Sequence, residues 1–218
     1  MSNLNKRILT SIVVFPLSVF FIIMGGNYTV SFLYAVLILA NFEAFSVFKR
    51  KLSIIFLDVT LVLSLLSILH LRNDTVSSFV LLIWVIILTI ASDVGGYVFG
   101  KLFKWKKLTK ISPKKTISGV LGSFLFSLFS VFFLGTIIEL VSGLESEIFQ
   151  KPKYFILAVI FSLAAQIGDL TISYLKRLEK IKDTGKILPG HGGIFDRVDG
   201  LMFAVIVAYI AYNLKLFP

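Results

Sequence analysis

The chain has 218 residues, 57% of them hydrophobic and only 16% charged, with a mean hydropathy of +0.93. A soluble domain carries roughly 25% charged residues, so this composition excludes a water-soluble core and indicates an integral membrane protein. The chain has no cysteine, which excludes disulfides and thiolate metal sites, and its net charge of +10 sits in short loops without interleaved aromatics, which argues against nucleic acid.

A helix needs about 20 apolar residues to cross the hydrocarbon. Seven segments qualify in chain order: Ile8 to Met24, Val30 to Phe48, Ser53 to Leu69, Ser77 to Gly100, Ile117 to Leu140, Tyr154 to Leu175 and Gly200 to Leu216. The third is the weakest, being short and interrupted by Asp58. The first follows Lys6 and Arg7 and has no small-residue cleavage site after it, so it reads as a retained span rather than a signal peptide. The expected fold is all-α: a polytopic membrane helix bundle of about seven transmembrane helices.

Charge sets the orientation. With the N-terminus in the cytoplasm, only Arg72, Lys151, Lys153 and Lys215 of the 22 Lys and Arg fall outside. Cytoplasmic loops carry such an excess of cations, which supports both the orientation and the count of seven. Asp74, Glu139, Glu145 and Glu147 fall at the outer face. No linker or repeat divides the chain, so residues 1–218 form one domain. Residues 1–75 are of scaffold type and 76–218 hold the chemistry. The two long inner loops, Lys101 to Thr116 (with Lys110) and Lys176 to Arg197, offer the only room for a polar site.

The densest charge lies in Ser173 to Asp199. Ionisable groups beside a bilayer are costly, so such a cluster marks a functional site. Asp169, Ser173 and Lys176 share one helical face, with Gln166 a turn earlier. Asp169 reads as a metal ligand, or else as a buried partner of Lys176. Pro189-Gly190-His191-Gly192-Gly193 is a turn able to present backbone N–H groups to phosphate. His191 is a proton carrier, a phosphate donor or a turn-stabilising donor. Asp196 and Asp199, at i and i+3, can face Asp169, although carboxylates at a helix start are also favoured by the dipole. Three convergent carboxylates suit a hard cation such as Mg2+, which would neutralise a phosphate. Asp93, Tyr97 and Gly100 share another face, and Ser112-Pro113-Lys114-Lys115-Thr116 follows. That run reads as an anion clamp or as a positive-inside loop. Ser118, Gly119, Gly122 and Ser123 read as helix packing. Glu43 and Asp58 face a polar cavity or pair helices.

These residues resemble a known signature. Ser173, Lys176, Arg177, Lys182, Asp183, Gly185, Leu188, Pro189, His191, Gly192, Gly193, Asp196, Arg197 and Asp199 stand at the spacing of the phosphatidate cytidylyltransferases (CDP-diacylglycerol synthases). Gly168-Asp169-Leu170, Ser92-Asp93 with Tyr97 and Gly100, and Ser112 to Thr116 with Gly119 also fit. The resemblance implies a bacterial cytoplasmic-membrane enzyme that transfers CMP from CTP to phosphatidate, releasing pyrophosphate. It implies Mg2+, with room for a second cation, and a homodimer. It implies Asp169 and Asp196 as metal ligands with Asp199 close by. Lys176, Arg177 and Lys182 would hold phosphates, with Asp183, His191 and Arg197 in the same catalytic stretch. Asp93, Tyr97, Ser112, Lys114, Lys115, Thr116, Ser173, Gly192 and Gly193 would bind substrate. The chain departs at Ile172, where the family often has Glu, and mildly at Gly96 and Thr184; its N-terminal part is shorter than in many members. The rival readings are another CTP-dependent lipid enzyme, of the CDP-archaeol synthase or polyprenol kinase type, a cation transporter using Asp93 and Asp169, and an inactive scaffold.

Overall fold

The structure is a computed structural model that describes residues 3–109, 111–143 and 151–217, with the side chains of residues 3–9 and 142 set aside. Lys110, Glu145 and Glu147 lie outside the described residues, and the side chains of Lys6 and Arg7 are likewise not described. Seven helices follow one another: α1 (Asn3–Met24), α2 (Gly26–Val47), α3 (Lys51–Asn73), α4 (Val76–Phe103), α5 (Ile117–Ser142), α6 (Pro152–Leu178) and α7 (Phe195–Asn213). Among the described residues the only β pairing is two isolated bridges, Lys107 with Thr116 and Leu188 with Gly192.

The seven helices coincide with the seven expected segments, but not all are alike. Five, α2 to α6, are long and apolar enough to cross a membrane by length and composition. In α1 the residues whose side chains are described, Thr10–Met24, are apolar as well. Helix α7 begins at Phe195, five residues before the expected start, so its first turns carry Asp196, Arg197 and Asp199. Those three charges keep α7 out of that set of five. Large side chains such as Phe42, Phe45, Phe129 and Phe132 are exposed on the outer faces of the bundle. A membrane helix satisfies its backbone internally and can turn such side chains to lipid.

Glycines set the closest packing. Gly95 of α4 faces the Gly122 carbonyl of α5, and a Cβ on Gly119 would lie 2.9 Å from the Gly96 carbonyl oxygen. The Ser123 hydroxyl donates to the Ser92 carbonyl at 2.8 Å across the same seam. Small residues let backbones approach where hydrocarbon offers no other driving force. Gly122→Leu should therefore force α4 and α5 apart and cost about 3 kcal/mol, by overpacking, read as a lower unfolding midpoint in detergent.

A similar contact joins α6 to α7. A Cβ on Gly168 would lie 2.6 Å from the Asp199 carbonyl oxygen, and one on Gly200 would lie 3.1 Å from that of Ala165. The residues beside Gly168 and Gly200 are Asp169 and Asp199, so this approach sets the two carboxylates face to face.

Two apolar clusters flank the site. The larger centres on Trp84, whose Nε1 donates to the Ser130 hydroxyl at 3.1 Å. The smaller gathers Leu57, Leu61, Ile172, Phe195 and Met202. Ile172 is fully buried there, so at this position the chain packs hydrocarbon where the resembling family often carries a carboxylate.

The opposite end of the bundle is closed by side chains. Arg72 of α3 donates to the Ile22 and Ile23 carbonyls at 2.5 and 2.6 Å. It thereby caps α1 where Gly25 and Gly26 reverse the chain with positive φ. Tyr212 of α7 donates to Asp74 at 2.6 Å.

Candidate functional site

Both long loops and the start of α7 meet at one end of the bundle. The Arg177 guanidinium fixes the loops to each other. Its Nε donates to the Ile111 carbonyl at 3.3 Å and its Nη1 to the Ile181 carbonyl at 2.9 Å. The first loop folds back on itself, with Leu108 N–H donating to the Lys115 carbonyl at 2.8 Å and Ile117 N–H to that of Lys106 at 3.0 Å. Thr116 then caps α5 by accepting from Gly119 N–H at 3.1 Å. The cap aims Ser112, Lys114 and Lys115 inward.

They line a polar cavity of about 260 Å3 between α4, α5 and α6, together with Asp93, Tyr97, Thr116, Ser123, Gln166 and Asp169. Lys115 Nζ lies 2.5 Å from Asp169 Oδ2, and the Ser173 hydroxyl donates to Asp169 Oδ1 at 3.3 Å. Asp93 lies within electrostatic reach of Asp169, and Asp199 within reach of both. Three carboxylates thus press on one another at the inner wall, with Lys115 and Lys176 as nearby cations.

Asp196 turns the other way. Its Oδ1 accepts from Lys176 Nζ at 2.6 Å. Its Oδ2 accepts from Thr184 N–H at 2.7 Å and Gly193 N–H at 3.0 Å. Beside it, Glu43 of α2 is only 1% exposed. One of its oxygens accepts from the Thr184 hydroxyl and the other from Ile194 N–H at 2.9 Å. Buried carboxylates are stable only when hydrogen-bonded or paired, and these two act as posts around which residues 184–194 wrap. Gly192, at φ +91°, supplies the left-handed turn the wrap needs. Gly193 sits against Glu43 and Thr184 where a Cβ has no space.

Several expected site residues therefore gather and others do not. Asp93, Tyr97, Ser112, Lys114, Lys115, Thr116 and Asp169 form one wall, with Ser173 and Asp199 adjoining. Lys176 pairs with Asp196, not with Asp169. The N–H groups of the His-Gly-Gly turn are spent within the protein: those of His191 and Gly192 donate to the Leu188 carbonyl at 2.9 and 3.2 Å, and that of Gly193 donates to Asp196. Arg177 and Arg197 hold loop carbonyls, the latter donating to His191 O from Nη2 at 2.9 Å. The Ser11 hydroxyl and His191 Nε2 lie 3.2 Å apart, which puts the turn against α1. Lys182 and Asp183 are exposed on the loop. Glu43 and Thr184 were missed as a pair. A lone carboxylate in an apolar span was the available signal, but nothing in the sequence names a partner so far along the chain.

Among the described residues no three His, Asp or Glu side chains converge as a ready-made metal cage. Asp169 and Asp199 nonetheless fit Mg2+, which is commonly held by one or two carboxylates plus substrate phosphates rather than by protein alone. The oxygens of Asp196 are already taken by Lys176, Thr184 and Gly193.

Residues 49–215 match the cytidylyltransferase family. The chain belongs to the cytidylyltransferase family. Among relatives of this family member, a Rickettsia conorii protein named phosphatidate cytidylyltransferase is 33% identical over 96% of the chain and 91% of its own length. Helicobacter pylori and Mycobacterium bovis proteins of the same name are 37% and 38% identical over 60% and 59% of the chain. Those matches cover only 46% and 40% of the relatives, so the chain spans less than half of either. The matched region contains the whole polar cavity and both loops, while Glu43 lies just before it.

Proposed function

We propose that the chain is a CTP:phosphatidate cytidylyltransferase, working at the cytoplasmic face of a bacterial inner membrane. The observation that carries this reading is the polar cavity. It sets a clamp of hydroxyls and cations from Ser112 to Thr116 across from the carboxylates Asp93, Asp169 and Asp199. Family membership and the names of the relatives support CTP as donor and phosphatidate as acceptor. The cation bias of the loops supports a cytoplasmic site.

In this mechanism a phosphate oxygen of phosphatidate attacks the α-phosphorus of CTP. One P–O bond forms there, and the bond to the oxygen bridging the β-phosphorus breaks. Pyrophosphate leaves with that electron pair. The nucleophile is already anionic, so no general base is required and His191 has no proton to take. Lys114 and Lys115 bind the triphosphate oxygens, with Ser112 and Thr116 orienting them. Asp169 and Asp199 would hold Mg2+, which supplies charge neutralisation on the triphosphate. Lys176 fixes the α6–α7 corner through Asp196, and Arg197 faces the acceptor phosphate. The test is an acceptor panel on purified protein. Turnover with phosphatidate supports the reading. Turnover with a polyprenol or an archaeal ether-lipid phosphate in its place overturns it.

A further inference from the structure

A second cavity, of about 290 Å3, opens between α1, α2, α3 and α7. Its walls are hydrocarbon, among them Leu17, Val36, Leu61, Leu65 and Leu201. The two hydroxyls in it are already used. Ser18 donates to the Val14 carbonyl at 2.8 Å and Ser64 to that of Leu61 at 2.7 Å. Both hydroxyl protons are spent, so the hydrocarbon stretch of the walls offers ordered water too few of the two to four polar partners it needs. The occupant must therefore be apolar along its length.

The end nearest the loops is different. Ile187, Leu188 and Ile194 roof the cleft, and Arg197 stands at its rim. These residues belong to the loop wrapped around Asp196 and Glu43. The Arg197 guanidinium has five N–H donors, and its bonds to the His191 carbonyl use two groups, Nε and Nη2. The side chain is exposed and within electrostatic reach of Asp93, which lines the polar cavity. One cation thus stands between an apolar cleft and the candidate nucleotide site.

The geometry points to this cleft as the seat of an acyl chain of the anionic lipid acceptor, whose phosphate Arg197 holds toward the polar cavity. The inference rests on the function proposed above and assigns the two halves of the site: nucleotide between α4, α5 and α6, and lipid tail between α1, α2, α3 and α7. Charge complementarity selects the occupant, because a neutral lipid would leave the positive charge and the remaining N–H donors of Arg197 without an anion. A second copy of the chain is disfavoured by shape, since the slot is walled by four helices of this chain.

The test uses the full chain in phosphatidylcholine nanodiscs, with phosphatidate carrying a photoreactive group near the end of one chain. After illumination, adducts are mapped by peptide mass spectrometry. The expected result is labelling of α2 and α3 at residues 33–39 and 61–68. Excess unlabelled phosphatidate should reduce it about tenfold, while the same excess of phosphatidylcholine leaves it. Arg197→Ala should abolish that preference. Adducts confined to the outer faces of α4 and α5 would overturn the assignment, as would cleft adducts displaced equally by both lipids. Labelling needs no turnover, so a chain that labels as expected yet transfers nothing to phosphatidate refutes the proposed reaction and keeps the cleft. In parallel, Ser64→Phe should lower the ratio of turnover on long-chain over short-chain phosphatidate about tenfold, with Val36→Trp as the second filling variant should the first fail to fold. An unchanged ratio in a folded filling variant would also overturn the assignment.

Discussion

Asp169→Asn should lower CMP transfer by about 1000-fold, the scale of removing one preorganised electrostatic group from a phosphoryl-transfer site. The substitution keeps shape and removes charge. Asp169 lines the polar cavity, lies 2.5 Å from Lys115 and is within reach of Asp93 and Asp199. With the charge gone, the site would lose one of the two carboxylates proposed to hold Mg2+, and Lys115 would lose its ion-pair partner. Stability should move the other way. Three mutually repelling carboxylates become two, so the thermal midpoint in detergent should hold or rise, as expected where function is built on local destabilisation. A purely structural Asp169 would give the reverse pattern, a lower midpoint with activity largely kept. Measuring both quantities on one preparation separates the two.

Glu43→Ala should have the largest structural effect of any single change at the site. It deletes the acceptor for the Thr184 hydroxyl and for Ile194 N–H in a place that is 1% exposed. Ile194 N–H loses its acceptor outright and the Thr184 hydroxyl keeps only Asp196 Oδ2 at 3.1 Å, a loss of about 2 kcal/mol. The loss should be local, because Glu43 braces the loop and not the Trp84 cluster. Lys182 and Lys186 are exposed on that loop and give trypsin its reporter. Cleavage there should accelerate about 30-fold if the loop opens by local unfolding, since the rate follows the open population. Glu43→Gln keeps one acceptor oxygen and should fall between the two. Wild-type protection in Glu43→Ala would show that the loop is held by Asp196 alone.

The contrast between these two carboxylates shows what the sequence carried. Asp169 was legible because its helical face, its neighbours Ser173 and Lys176 and its local motif are all short-range. The seven apolar segments were legible for the same reason, being set by hydrocarbon thickness. Glu43 was visible as an oddity but had no partner, because its contacts come from a loop that returns from the far end of the chain. Asp196 and Asp199 illustrate the limit of spacing. Positions i and i+3 share a helix face, yet at a helix start the preceding loop can fold under the first turn. Here Thr184 and Gly193 take Asp196, and Asp199 alone meets Asp169. The apolar cleft was not legible at all, since it is a space between four helices and no residue in it is unusual.

Where the label goes from CTP tests the proposed transfer most directly. Purified protein in phosphatidylcholine vesicles would be given CTP labelled either in the α- or in the γ-phosphorus, with and without phosphatidate, Mg2+ and chelator. The α-label should enter the lipid fraction only when phosphatidate and Mg2+ are both present, with pyrophosphate released in equal amount, and the γ-label should stay in water. Transfer of the γ-label to lipid, or α-label incorporation that ignores phosphatidate, would contradict it.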